Sequence, residues 1–150
     1  MKNYLLPAFI LISAALHGQC DQATAFVFSI SPGYAKTGFT FNMEAGLWPV
    51  AGRVGVLAGP VLYSRQQVVK GKNETETITD LDFAGRLVFK LTELGDNSPQ
   101  LLTVYGTARG NVGGSFRGYL SLGRYDMLGV EPFYGTKTGI GVSLIFTTRL

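Results

Sequence analysis

The feature that most constrains this chain is a two-residue alternation that returns in one strand-length segment after another. It is clearest in Gly139–Leu150. There Ile140, Val142, Leu144, Phe146, Thr148 and Leu150 alternate with Gly139, Gly141, Ser143, Ile145, Thr147 and Arg149. A β-strand points successive side chains to opposite faces, so this period predicts a strand with one bulky apolar face and one small or polar face. Glycine recurs every few residues and β-branched and aromatic residues are dense, which favours strands over helices elsewhere too.

Seven further segments carry the same alternation: Thr24–Ser31, Thr37–Leu47, Arg53–Arg65, Ile78–Leu91, Leu101–Arg109, Ser115–Gly123 and Leu128–Tyr134. The second is the cleanest, with Phe39, Phe41, Met43, Ala45 and Leu47 against Gly38, Thr40, Asn42, Glu44 and Gly46. The third is less regular, because Leu57 and Val61 fall out of phase with Val54, Val56, Ala58 and Leu62. Pro60 lacks the N–H that a ladder needs and predicts a bulge or local break. Pro32-Gly33 is expected to bend or end the first strand. Gln66–Thr77, the most polar segment, is expected to be the longest loop; Gly95–Pro99, Gly110–Gly114 and Gly135–Thr138 read as turns. Short connections predict antiparallel hairpins, and eight such strands can close into an up-and-down barrel without exposed edges.

Alternation alone does not say which face is inside. The second face is mainly Gly, Ser, Thr, Asn and Tyr, and its charges balance. Glu44, Asp80, Asp82 and Glu131 stand against Arg86, Lys90, Arg109 and Arg117. An eight-stranded barrel is only just wide enough for side chains to fill. Small residues and paired charges suit that interior, where an unpaired charge is costly. The apolar face carries no charge in strands two, four, five or six. That suits contact with lipid, where Arg or Lys costs about 2–4 kcal/mol at mid-depth. Trp48, Tyr34, Tyr63, Tyr125 and Tyr134 lie near strand ends and are expected to form interfacial girdles. The alternative is an exported soluble barrel of lipocalin type, with the apolar face inward around a hydrophobic ligand.

By this pattern the chain resembles the small eight-stranded outer-membrane barrels of the OmpX and OmpA type. The resemblance implies an all-β, eight-stranded antiparallel up-and-down transmembrane barrel with its N-terminus in the periplasm. It implies a plugged polar lumen and a structural or surface-contact role in the envelope of a Gram-negative-type cell. Those proteins commonly end in an aromatic residue read by the barrel assembly machinery. Here the matching phase holds Phe146 and Leu150, the expected assembly signal. Glu44, Asp80, Asp82, Arg86, Lys90, Arg109, Arg117 and Glu131 are the expected lumen network, and the loop at 65–77 is the expected surface for a partner.

The N-terminus reads as export. Met1-Lys2-Asn3 is a short positive region, Tyr4–Leu16 an apolar core, and small residues follow, so residues 1–18 are expected to be a signal peptide and 19–150 the barrel domain. Cys20 could be lipidated, although His17 and Gln19 are poor flanks for that. One cysteine makes no internal disulfide. The net charge of +3 has no basic run behind it, which argues against nucleic acid binding. The one histidine, His17, lies in the signal segment. The remaining chain therefore offers no histidine base or ligand, and no enzyme activity, metal or cofactor is expected.

Overall fold

The computed structural model describes residues 25–48, 53–68, 75–94 and 98–150. Eight strands run in chain order: β1 (Ala25–Ala35), β2 (Gly38–Trp48), β3 (Val54–Val68), β4 (Thr75–Glu93), β5 (Pro99–Thr107), β6 (Val112–Ser121), β7 (Asp126–Gly135) and β8 (Gly139–Arg149). Each pairs antiparallel with the next, and β8 pairs with β1, closing the barrel. The expected all-β, eight-stranded antiparallel barrel is what the chain forms. The expected signal peptide, the cleavage point after Gly18 and Cys20 lie outside the described residues.

Prolines are where the strand reading needed correction. Pro32-Gly33 does not end β1, which continues to Ala35 and pairs Pro32 with Phe41 of β2. On its other side the β1–β8 ladder stops after Ile30↔Phe146 and resumes at Gly33↔Ser143. Pro60 behaves alike. The β2–β3 ladder skips from Asn42↔Val61 to Ala45↔Ala58, while β3–β4 pairing runs unbroken through Pro60↔Phe83. Pro132 sits in a similar gap between Ser115↔Phe133 and Gly118↔Val130. A missing N–H removes bonds to one neighbour only, so each proline interrupts one ladder locally without shifting its register. Of the bulge or local break expected at Pro60, the break is what forms; a register shift lies elsewhere, between Lys90 and Thr92 of β4.

Half of the longest expected loop is strand, its residues 69–74 lying outside the described ones. Gln66, Gln67 and Val68 pair in register with Thr77, Glu76 and Thr75. Beyond Tyr63 of β3 and Ala84 of β4 no further pairing with β2 or β5 occurs. The β3–β4 hairpin therefore projects past the barrel by about 16 Å at about 3.3 Å per residue. Likewise Gly113 and Gly114 belong to β6, and the turn before it is at Ala108–Asn111, where Gly110 takes φ +78°.

Burial assigns the two faces. Ile140, Val142, Leu144 and Phe146 are exposed, while Ser143, Ile145 and Thr147 are buried. The same phase holds in β4, where Leu81, Phe83 and Leu87 point out and Asp82, Arg86 and Val88 point in. Tyr34, Tyr125 and Tyr134 are exposed, but Trp48 and Tyr63, expected in the same girdles, are buried on the inward phase of β2 and β3. Trp48 stacks edge-on against Tyr119, with centroids 5.2 Å apart. They join Val27, Leu57, Val88, Leu101, Met127 and Ile145 in an apolar plug at the barrel end nearer the termini. An edge-to-face pair of this kind contributes about 0.5–1.5 kcal/mol beyond its burial.

Close backbone approach dictates the inward glycine of β3. A Cβ on Gly59 would stand 1.9 Å from the Met43 carbonyl oxygen and 3.1 Å from Glu44 Cα, whereas one on Gly85, outward on β4, would meet nothing within 4 Å. Gly59→Val is therefore expected to destabilise the barrel by about 2 kcal/mol or more through overpacking. Gly85→Ala should be neutral or slightly stabilising. Denaturant titration of both variants tests this, and equal midpoints would contradict the packing described for Gly59.

Candidate functional site: the lumen charge ring and the barrel mouth

Four ionised side chains meet in the middle of the barrel. Glu44 reaches in from β2, Arg86 from β4, Arg117 from β6 and Glu131 from β7, all on the inward phase of alternate strands or near neighbours. Arg86 Nε donates to Glu44 Oε1 at 2.7 Å, and Arg86 Nη1 donates to Glu131 Oε1. Arg117 Nη2 donates to Glu44 Oε2 at 2.7 Å, and Arg117 Nε donates to Glu131 Oε1 at 2.9 Å. Each carboxylate bridges both guanidinium groups, so the four form a closed ring.

Hydroxyls complete the ring. Arg86 Nη1 also donates to Thr103 Oγ1 at 2.8 Å and Ser115 Oγ at 3.0 Å, and Ser115 donates to Glu131. The Arg86 guanidinium lies 5.0 Å from the Tyr105 ring centroid. Arg117 is wholly buried and Glu131 and Glu44 nearly so. Burying charges costs several kcal/mol each unless partners and hydrogen bonds compensate. Two acids facing two bases, with charge-assisted bonds at about 2.7–2.9 Å, supply that compensation.

The other four expected network members lie elsewhere. Asp80 is at the far end of the barrel, where Arg65 Nε donates to Asp80 Oδ2 and Arg109 Nη1 donates to Asp80 Oδ1 at 3.1 Å. Asp82 accepts from the backbone N–H of Phe83 at 2.8 Å and of Arg109 at 3.1 Å. Arg109 is beyond the end of β5 and its side chain is exposed, so it belongs to the mouth and not to the lumen. Lys90 lies toward the opposite end and pairs with Glu93 at 2.8 Å. The ring thus balances its own charge, and the other expected members find their partners toward the two ends of the barrel.

Arg65 escaped the sequence reading because it stands at the border of the expected loop. Extending the inward phase of β3 from Leu57 through Val61 and Tyr63 by one more step reaches it. Its diagonal neighbour across the ladder is Asp80, since Tyr63 pairs with Asp80 directly.

Two spaces lie along the axis on the far side of the ring from the apolar plug. One, of about 30 Å³, is lined by Thr40, Tyr105, Thr138, Arg86 and Glu131. That is room for about two water molecules. The second, of about 380 Å³, opens at the mouth between Arg65, Arg109, Lys137, Asp80, Thr37 and Gln66. Among the described residues no group of His, Cys, Asp and Glu has the arrangement of a metal site. Compared with protein-family models, curated proteins and solved structures, the chain finds no match.

The ring makes a testable demand on its members. Glu131→Leu leaves Arg86 and Arg117 sharing one carboxylate in a buried site, and should cost about 3–5 kcal/mol. The double variant Glu131→Leu/Arg117→Leu removes one charge of each sign and is expected to recover part of that loss. Denaturant unfolding followed by the fluorescence of Trp48, the chain's one tryptophan, measures both. A double variant less stable than the single would count against mutual charge compensation.

Proposed function

We propose that the protein is a small integral barrel of the outer membrane of a Gram-negative-type envelope, with a plugged polar lumen and a structural or surface-contact role. The observation that carries this reading is the barrel's exterior. Large apolar side chains project outward, exposed, from every strand but β3, including Phe26, Phe39, Leu81, Leu102, Leu120, Val130 and Ile140, the last 75% exposed. On the outward phase of the described strands the only charged residue is Asp126, at the end nearer the termini; past the register shift in β4, Glu93 pairs with Pro99 on the inward phase. Soluble monomers rarely expose a contiguous apolar patch beyond a few hundred Å². Lipid is the environment that such a belt fits.

Dimensions support the same reading. The outward apolar run of β8 and the residue after it, Ile140 to Leu150, covers about 33 Å along the strand at about 3.3 Å per residue. At a tilt of about 40° this is about 25 Å along the axis, the height of a membrane barrel's apolar band. The interior supports it from the other side. A hydrophobic ligand needs a cavity of roughly 300–1,000 Å³. The enclosed space is about 30 Å³ and lies against Arg86 and Glu131.

On this reading the turn at 36–37, the β3–β4 hairpin and the turns at 108–111 and 136–138 share the extracellular end, and the barrel assembly machinery would insert the chain, with Phe146 and Leu150 on the lipid-facing phase. The β3–β4 hairpin is then the surface available to a partner outside the cell. With an apolar plug at one end and an ionic ring in the middle, the barrel would conduct no solute and act through its surface. It would need no cofactor and catalyse no reaction.

Leu144 is 51% exposed and near the middle of the β8 run. Leu144→Arg should cost about 2–4 kcal/mol in lipid or detergent and impair membrane recovery. In a water-facing strand the same change would be neutral or improve solubility. Fractionation without detergent, followed by unfolding of wild type and variant, separates the two. Recovery of the wild-type protein in the aqueous fraction, with Leu144→Arg harmless, would defeat the membrane reading.

A further inference from the structure

The barrel mouth holds a set of cations that the structural role above does not use. Arg65, Arg109 and Lys137 converge on the cavity of about 380 Å³, and Asp80 is the one acid in its lining. Asp80 offsets one of the three charges and leaves a net excess of two in the lining. Its Oδ2 accepts from Arg65 Nε and its Oδ1 from Arg109 Nη1, so both carboxylate oxygens are engaged by guanidinium groups. The carboxylate acts as a brace, holding two planar forks at fixed positions on β4's two sides. Lys137 Nζ is drawn to the same place by the Arg109 carbonyl oxygen, to which it donates.

Most of these donors remain available. Arg65 uses Nε on Asp80 and Nη1 on Gln67. Arg109 uses Nη1, and Lys137 one of its three N–H bonds. Among the described residues, Arg65 Nη2 and Arg109 Nε and Nη2 have no acceptor. Arg65 and Arg109 are accessible, with side-chain exposures of 37% and 58%. Guanidinium forks held in advance by a third group suit a ligand with several acceptor oxygens, and the ordering cost of binding is largely met before the ligand arrives. Three cations against one braced acid favour a dianion. The cavity is larger than a bare oxyanion requires, and its remaining lining includes the neutral Thr37 and Gln66, which can serve hydroxyl groups.

From this we infer that the barrel mouth is a binding site for a sugar phosphate monoester, the phosphoryl group held by Arg65, Arg109 and Lys137 and the sugar by the neutral lining. The inference needs the barrel and its mouth only, and goes beyond the proposed envelope role. The mouth opens along the barrel axis and away from the apolar belt, so a free sugar phosphate is the expected source in preference to a lipid headgroup.

Calorimetric titration of the folded whole chain tests this in a polyoxyethylene detergent, which has neither charge nor sugar of its own. Glucose 6-phosphate should bind saturably at one site, more tightly than inorganic phosphate, with glucose inert. Arg109→Gln and Lys137→Gln should each weaken binding roughly tenfold. Both residues are exposed and outside the lumen ring, so the thermal unfolding of these variants should match wild type. Doping the micelles with a phosphorylated glycolipid should leave glucose 6-phosphate binding unchanged; a tenfold loss would assign the site to the headgroup of such a lipid. Absence of saturable binding by both phosphate probes, or full affinity in folded Arg109→Gln and Lys137→Gln, would overturn the site. Inorganic phosphate binding as tightly as glucose 6-phosphate would overturn the assignment to a sugar.

Discussion

Four charges share an interior only just wide enough for side chains. Eight strands fix that width, and everything placed inside must fit it and be neutral in sum. The ring of Glu44, Arg86, Arg117 and Glu131 meets both demands. Planar guanidinium groups lie between carboxylates, Thr103 and Ser115 take up further hydrogen bonds of Arg86 and Glu131, and Arg117 Nη1 is buried with no acceptor among the described residues. The ring also ties β2, β4, β6 and β7 together across the lumen. The backbone ladder joins each strand only to its neighbours, so it is side-chain contacts such as these, with Tyr105 to the Tyr134 carbonyl oxygen and Thr147 to Tyr119 beside them, that cross the barrel.

Along the axis the interior changes character in a definite order. An apolar plug built on Trp48 and Tyr119 occupies the end nearer the termini, and the ionic ring lies above it. A small polar space follows, and then the basic mouth braced by Asp80. The ionic ring balances its own charge, the mouth opens to solvent and can hold an excess of cations at little cost, and at the opposite end Arg149 reaches Met127 of the plug with no acid paired to it among the described residues. A charged ligand is therefore accommodated at the mouth, where water shares the cost of desolvation, and not deeper.

Much of this was legible in the chain because a strand's period is rigid. Once Ile140, Val142, Leu144 and Phe146 share a face, Ser143 and Thr147 must share the other, and the same reasoning brought Glu44, Arg86, Arg117 and Glu131 to one side of their strands. Period two says nothing about height along the barrel, however. Asp80 and Lys90 have the same phase as Arg86, but each lies several residues from it along β4, one toward the mouth and one toward the opposite end. Arg109 was placed in a strand that ends at Thr107. Trp48 and Tyr63 have inward parity that was passed over because they stand near strand ends. The polar segment after Arg65 has the composition of a loop, yet its described ends, 66–68 and 75–77, pair as strand.

The sequence by itself determined the alternation, and with it the number of strands, the two faces and the chemical kind of residue on each. Those follow from local backbone geometry, in which neighbouring side chains must point oppositely. Only the tertiary structure decided which charges meet. That depends on register between strands far apart in the chain, such as the pairing that lets Glu44 and Arg117 approach across the lumen. It also decided that the three interior prolines interrupt single ladders without ending strands, because a closed barrel gives every strand a second neighbour to hold it in place.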